Sequence, residues 1–492
     1  MTGATGEEGL MHADGSQLAD IAADRPLVVD IDGTLAKTDL LAESFFALMS
    51  HSPLAAGGAL ASLRGGRAAL KRHLAERAVL DITLIPLHED LVAFLRLEKQ
   101  RGRRIYLASA ADRRYVEALA GHLGLFDGIF ASDGVLNLKS SRKAAALVEA
   151  FGDKGFDYVG NDHADLAVWR AAAEVYVVDA PAGLMRKVRK EFPGATVLVP
   201  TRPRLGKYMK ALRPHQWLKN LLVFVPSMAA HQFAPQEMAR DLLAFVIFSL
   251  CASSVYLLND LFDLRSDREH PSKRNRPFAA GDVSLVKGAM LLVLALAAAG
   301  TASLALPNRF IGMLGLYYAT TLGYSMLFKR IAVLDVVVLA CLYTLRLLAG
   351  GAAASVPLSP WLISFSIFMF LSLALIKRCA ELIDRQARGK GDPIGRGYRL
   401  TDIPQLQALA GASGYVAAMV FGLYITHPDV LLLYAHPTRL WGVPVILLYW
   451  ISRISILTHR GEMNEDPVLF AAKDRVSLAC LGAILLVAAF SL

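Results

Sequence analysis

The sequence predicts a chain of two parts. The first is an amino-terminal α/β domain, a doubly wound parallel sheet with a helical cap. The second is an all-α polytopic membrane bundle of about nine transmembrane helices. Three observations predict this. Hydrophobic residues make up 54% of the 492 and charged residues only 19%, against about 25% charged in an average soluble domain. The apolar excess is concentrated: residues 1–210 read as an ordinary charged globular chain, and apolar runs of spanning length recur from about Trp217 onward. Within the first part, short apolar strands alternate with helical stretches, as they do in parallel sheets. A wholly disordered, collagen-like or disulfide-rich secreted chain is excluded.

Residues 1–24 are polar and rich in Gly, Ala and Asp, and are expected to form a flexible amino terminus. They hold no apolar stretch of the kind a cleaved signal peptide needs, so the domain at 25–195 is expected to stay in the cytoplasm. Its first strand begins at Leu27 and ends in Asp30 and Asp32, two aspartates that a strand's alternation points to one side. A second strand, from Arg104, ends in the hydroxyl of Ser109. A third, from Phe156, runs into Asp162 and Asp165, and Lys143 opens a helical stretch between the last two. Ligands of open α/β sheets bind at the carboxyl ends of strands, where these side chains fall. The mainly helical insertion at about 40–95 is expected to be a cap, although its Ala- and Arg-rich part (61–77) would also suit a membrane surface. Residues 196–212, with Pro200, Pro203 and several basic residues, form the linker.

In the second part, 213–492, nine segments have spanning length: roughly 217–236, 239–258, 286–306, 309–328, 332–351, 359–377, 404–426, 437–457 and 470–491. Loop charge fixes their orientation. Basic residues crowd the segment before the first span and the loops after the second, fourth, sixth and eighth, whereas the opposite loops carry little more than Arg240, Arg309 and Arg439. The amino terminus and the even-numbered loops are therefore expected in the cytoplasm of an inner-membrane protein. Lys+Arg 52 against Asp+Glu 43 gives a net charge of +9, which these loops explain without nucleic-acid binding. The four cysteines, Cys251, Cys341, Cys379 and Cys480, lie in or at the ends of apolar segments and lack metal-ligand spacing.

The loop after the second span carries the chemistry. Asn259, Asp263 and Asp267 are spaced i, i+4, i+8, so a helix presents them on one face with Asp260 beside them. Such a cluster repels itself without a cation, and carboxylates suit Mg²⁺, which also binds substrate phosphates. Lys273 and Arg276 follow within reach of phosphate oxygens. Acids at the end of a span are costly and point to function. Arg346, inside the fifth span, calls for either an anion or an intramembrane acid. Lys377-Arg378-x-x-Glu381, Glu465-Asp466 and Lys473-Asp474-Arg475 read as basic flanks with local ion pairs.

The motif Asn259-Asp260-x-x-Asp263-x-x-x-Asp267, after the second of nine spans, resembles the UbiA superfamily of intramembrane prenyltransferases over roughly 205–492. Arg213-Pro214-x-Gln216-Trp217-x-Lys219-Asn220 and Asp267-Arg268-x-His270-Pro271-x-Lys273-x-x-Arg276-Pro277 resemble the branch that contains decaprenyl-phosphate phosphoribosyltransferase. The resemblance implies Mg²⁺ held by the acidic loop and by Asp335. It also implies phosphate contacts from Lys219, Lys273, Arg276, Tyr324 and Lys329. The donor is a diphosphate and the acceptor a polyprenyl phosphate or another lipid-soluble molecule in the bilayer. Many members have two or more aspartates in the second motif; this chain has only Asp335 before Arg346, a departure that argues mildly against a prenyl diphosphate donor.

Asp30, Asp32, Ser109, Lys143 and the acids after Gly160, in that order, resemble the haloacid dehalogenase (HAD) phosphatases over roughly 25–195. That resemblance implies Asp30 as nucleophile, Asp32 as general acid/base, and Ser109 and Lys143 on phosphate, with Lys139 a less favoured substitute. Asp30, Asp162 and Asp165 would hold Mg²⁺. Together the resemblances imply transfer of phosphoribose to a polyprenyl phosphate, followed by removal of the 5-phosphate. The alternatives are an aromatic polyprenyltransferase and a membrane scaffold or transporter carrying a phosphatase.

Overall fold

The computed structural model describes residues 25–492 apart from 79, 133–137, 202–203, 394–395 and 464–465. The expected flexible terminus, 1–24, and Glu465 lie outside the described residues. The chain divides into two compact units, one reaching to Ala211 and including Leu258–Met290, the other made of Leu212–Leu257 and Leu291–Leu492.

In the first unit, the described residues form a six-stranded sheet: β1 (Leu27–Val29), β2 (Ile105–Asp112), β3 (Gly128–Ser132), β4 (Asp157–Gly160), β5 (Val175–Val178) and β6 (Thr196–Val199). The order is β3-β2-β1-β4-β5-β6, and every neighbour is parallel. Alternation builds two cores. Leu27 and Val29, Ile105 and Leu107, Val159, Tyr176 and Val178 face one layer. Val28, Ala108, Tyr158 and Val177 face the other, with Trp169 and Leu184. Both faces are thus covered, as a parallel sheet requires. Strand order reverses at β1, which places the crevice for ligands beyond the carboxyl ends of β1 and β4.

Between β1 and β2 the chain is helical: Leu40–His51, Pro53–Ala61, Arg67–Arg77 and Glu89–Gln100. Leu70 and Leu74 of Arg67–Arg77 are buried with Leu48, Ala56 and Ala59. Leu70 and Leu74 thus pack within the unit.

Among the described residues, six of the nine expected spans are helices long and apolar enough to cross a membrane: Pro235–Phe262, Leu285–Ser303, Leu334–Ala354, Pro360–Ala387, Leu400–Ile425 and Pro437–His459. The other three differ for physical reasons. The first is broken into a 3₁₀ segment, Pro214–Phe224, and a short helix, Val225–Ala229, with Pro226 at the join. The fourth is the helix Asn308–Met326, which interrupts its apolar residues with Arg309, six hydroxyl-bearing side chains at 317, 318, 320, 321, 324 and 325, and Gly312, Gly315 and Gly323. The ninth is a shorter apolar helix, Arg475–Ser491. In the second unit the broken first segment packs against Leu334–Ala354. A Cβ on Gly350 would stand 2.1 Å from the Val223 carbonyl oxygen, so glycine is required there.

Candidate active sites

The carboxyl ends of β1 and β4 open into a cavity of about 620 Å³ lined by Asp30, Asp32, Lys143, Asn161 and Asp165. Lys143 is buried; its Nζ donates to Asp30 Oδ1 at 2.6 Å and to the Tyr158 hydroxyl at 2.9 Å, and lies 3.8 Å from Asp165 Oδ1. Tyr158 donates to Asp165 at 2.9 Å, and the backbone N–H groups of Asn161 and Asp162 donate to its other oxygen. Thr34 donates to Asp30 at 3.2 Å, and the Leu40 N–H to Asp32 at 2.8 Å. Gly33 turns the chain between β1 and the cap with φ of +78°, where a Cβ would meet the Asn161 amide at 2.3 Å. Burial raises both acids. Asp30 reaches about 6, with Lys143 opposing and Asp165 adding to the rise. Asp32 reaches about 8, with Asp39 and Asp30 adding to the burial effect.

Two sequence expectations meet a different geometry here. Ser109 is fully buried and accepts the Ala111 N–H at 3.0 Å; Ala110, Ala111 and Asp112 line the cavity in its place. Asp162 also lines the cavity, but it is exposed and accepts from the His163 N–H, capping the turn that follows. Its neighbour Asn161 lines the cavity with a buried Oδ1 that accepts no hydrogen bond among the described residues. The signal was its place directly after Gly160. Lys37, Lys71, Arg204 and Lys287 also line the cavity, and nothing in the sequence pattern marked them. Lys71, from the cap, donates to the Ala110 carbonyl at 2.5 Å.

In the acidic loop, the helix Pro235–Phe262 ends one residue before Asp263, which starts a short helix, Leu264–Glu269. The N–H of Asp263 still bonds the carbonyl of Asn259 and that of Asp267 the carbonyl of Asp263, which keeps the expected spacing. Arg276 then folds back. Its Nη1 donates to Asp260 at 3.1 Å and to both oxygens of Asp267 at 2.9 and 2.7 Å. The loop thus partly neutralises its acids with its own arginine. Burial still raises Asp267, against the pull of Arg276. Asn259 and Asp263 are half-buried and Lys273 is exposed. Among the described residues, no group of three or more His, Cys, Asp or Glu is arranged to hold a metal ion.

In the second unit Asp335 is fully buried. Arg378 Nε donates to it at 2.6 Å, Tyr398 donates through its hydroxyl, and Arg396 lies 3.6 Å away. Arg378 also bonds Glu381 and the Tyr324 hydroxyl, the latter at 2.9 Å. Arg378 is therefore more than a loop flank, and Tyr324 is engaged by it. Lys219 and Lys377 share Asp466 at 2.8 and 2.9 Å. Burial would raise Asp466, but the two ammonium groups hold it well below the usual carboxylate range. Lys329 is half-buried. Arg346 bonds only neutral groups among the described residues: Asn220 at 2.9 Å, the Leu342 carbonyl at 2.6 Å and the Tyr317 hydroxyl at 3.0 Å, with the rings of Phe248, Tyr317 and Tyr343 around it.

The family model for the UbiA prenyltransferase family matches residues 220–470. Protein y4nM of Sinorhizobium fredii is 37% identical over 92% of this chain and 88% of its own length. The decaprenyl-phosphate phosphoribosyltransferase of Mycobacterium tuberculosis is 39% identical over 54% of this chain and 88% of its own. Among solved structures, a UbiA homologue from Archaeoglobus fulgidus bound to GPP and Mg²⁺ covers 57% of this chain and 99% of its own, at 14% identity and a TM-score of 0.45. A phosphoserine phosphatase in its apo form covers 36% of this chain and 95% of its own, at 18% identity and a TM-score of 0.26.

Proposed function

The chain belongs to the UbiA prenyltransferase family, and from that premise we propose a membrane enzyme that transfers 5-phosphoribose from phosphoribosyl diphosphate to a polyprenyl phosphate and then hydrolyses the 5-phosphate. The chain is a multi-pass membrane protein. The observation that carries the transferase half is its similarity to the mycobacterial decaprenyl-phosphate phosphoribosyltransferase, which spans nearly all of that protein. In this reading the enzyme sits in the inner membrane with both sites on the cytoplasmic side.

The acids of the loop suit Mg²⁺: Asp260, Asp263 and Asp267 are carboxylates within one short stretch, and Arg276 already satisfies part of their demand for a cation. Mg²⁺ held there would screen the charge that builds on the departing diphosphate. Arg276 would exchange carboxylate for phosphate oxygens as the donor enters, with Lys273 beside it. Asn259, Lys219, Tyr324, Lys329 and Asp335 remain candidates for positioning donor or acceptor. The acceptor phosphate is already anionic, so no strong base is needed.

The phosphatase half rests on Asp30, Asp32, Lys143 and Asp165 sharing one cavity. Asp30 attacks phosphorus and the ester oxygen leaves, taking its proton from Asp32, whose raised pKa keeps it protonated at neutral pH. Water then splits the aspartyl phosphate, with Asp32 accepting the proton. Lys143 orients Asp30 and balances phosphoryl charge. The residues fit Mg²⁺, since the buried Oδ1 of Asn161 lacks a hydrogen-bond partner among the described residues beside two carboxylates. Asp30, Asp165 and Asn161 would hold it and screen the phosphoryl oxygens.

The test uses purified protein, Mg²⁺, a polyprenyl phosphate and labelled phosphoribosyl diphosphate. A parallel assay uses prenyl diphosphate with 4-hydroxybenzoate. Label should reach the lipid only from the first donor and be lost in Asp263→Ala. The Asp30→Asn enzyme should accumulate lipid that retains the 5-phosphate. Label only from the second donor would move the chain to the aromatic prenyltransferases. An unchanged lipid product in Asp30→Asn would remove the coupled phosphatase.

A further inference from the structure

The cavity of Asp30 is walled in part by Ser284 and Lys287, which lie far along the chain, beyond the acidic loop. This wall is built. Arg268 forms a bidentate pair with Glu43 of the cap at 2.6 and 3.1 Å, with side-chain exposures of only 7% and 1%. Its Nε also holds the Ala279 carbonyl at 3.1 Å. Lys207 bonds Asp282 at 2.6 Å. Gly281, with φ of +72°, comes so close that a Cβ there would stand 2.6 Å from Lys37 Cβ. All of these residues belong to one compact unit.

Lys287 is in the first turn of Leu285–Ser303, a helix long and apolar enough to cross a membrane. A ligand that reaches from Asp30 to Lys287 therefore reaches the end of a helix of spanning length, where lipid headgroups are expected. Lys287 is exposed and Lys37 half-buried, and among the described residues neither ammonium group makes a hydrogen bond or ion pair. The phosphoryl group under attack is already served by Lys143. A 620 Å³ cavity also far exceeds the space one phosphoryl group fills. Two such cations in the cavity wall, one of them at the end of a helix of spanning length, call for a second anion there.

We propose that the substrate of the Asp30 cavity is a lipid-linked phosphomonoester carrying a second phosphate, and that Lys287 with Lys37 forms the subsite for that second phosphate. The inference rests on the reading of this cavity as a phosphomonoesterase. A phosphodiester joining a sugar to a polyprenyl chain meets the demand, because the chain must lie in the bilayer and its phosphate at the surface. A soluble sugar bisphosphate offers the same phosphate chemistry without the anchor.

The full chain in lipid nanodiscs is assayed for phosphate release from three probes: ribose 5-phosphate, ribose 1,5-bisphosphate, and polyprenyl-phosphoryl 5-phosphoribose in the same disc. The kcat/KM should rise in that order. In Lys287→Ala, the ratios of the second and third probes to the first should fall about tenfold through KM, the size of one charge-assisted contact. Lys287→Arg should restore them. Ratios equal in wild type and Lys287→Ala, with release still dependent on Asp30, overturn the subsite alone. Equal kcat/KM for the soluble and lipid-linked two-phosphate probes overturns the lipid assignment. No Asp30-dependent release from any probe overturns the phosphatase reading and this inference with it.

Discussion

At the amino end of the sheet Arg103, 1% exposed, is bonded to Asp157, to Glu98 at 2.9 Å and to the Arg25 carbonyl at 2.9 Å. At the carboxyl end Lys143, also buried, is bonded to Asp30 and Tyr158 and stands 3.8 Å from Asp165. Both are buried cations among carboxylates, yet they differ in balance and access. Arg103 engages a partner through each of its three guanidinium nitrogens and leaves no opening. Lys143 is one ammonium among Asp30, Asp32 and Asp165, all lining a cavity open to ligands. Fully paired burial holds a fold together; under-compensated burial raises Asp30 and Asp32 and leaves acids able to act on phosphorus.

The comparison breaks if the roles can be exchanged. Asp30→Asn should lower phosphate release by at least about 10³-fold, as loss of a nucleophile does, while the thermal unfolding of the protein stays in place. Arg103→Met should do the reverse. It removes the one fully buried cation between Asp157 and Glu98 and leaves them only the more exposed Arg25 and Arg101, which costs up to about 3–5 kcal/mol. Its denaturation midpoint should drop steeply, whereas release from the fraction still folded keeps its KM. A stable Arg103→Met protein would show that the amino-end cluster is not what secures the sheet.

The acidic loop sharpens the same contrast, because Arg276 there compensates Asp260 and Asp267 without sealing them: its side chain is 28% exposed. Asp267→Asn should reduce lipid labelling from phosphoribosyl diphosphate by about 10²-fold, the scale of one lost electrostatic contact in a transition state. Phosphate release from ribose 5-phosphate by the same variant should change by less than about twofold. Equal losses in both assays would mean that Asp267 supports the fold of the unit rather than the transfer.

Much of this was legible in the sequence where a local period governs. Asp30 and Asp32 follow from strand alternation, the parallel sheet from the strand–helix rhythm, and six spans from apolar length. What was hidden depends on contacts between distant residues. Arg378 reaches Asp335, Asp466 gathers Lys219 and Lys377, and Arg268 reaches Glu43, pairs that no spacing announces. The segment 217–236 looked like a span because its apolar residues are numerous. Buried Lys219 and Asn220, with Pro226 after them, break it into two short helical pieces. Lys287 reads as an ordinary basic residue at the start of a span until the fold brings it to the cavity of Asp30.

The smallest effect concerns two adjacent residues. After Gly160 the chain offers Asn161 and Asp162, and charge alone favours the aspartate as a metal ligand. The fold favours the amide. Both line the cavity, but Asn161 presents a buried oxygen without a hydrogen-bond partner among the described residues, while Asp162 is exposed and caps the following turn. Asn161→Ala should therefore raise the Mg²⁺ concentration for half-maximal phosphate release about tenfold, at the lower end of what losing a group that supports a metal does. Asp162→Ala should leave that concentration within about twofold and lower stability by about 1 kcal/mol, the worth of an N-cap. If the two results are reversed, the cavity binds its cation through the rim, and the pairing of Lys143 with Asp30 and Asp165 is a closed structural cluster like that of Arg103.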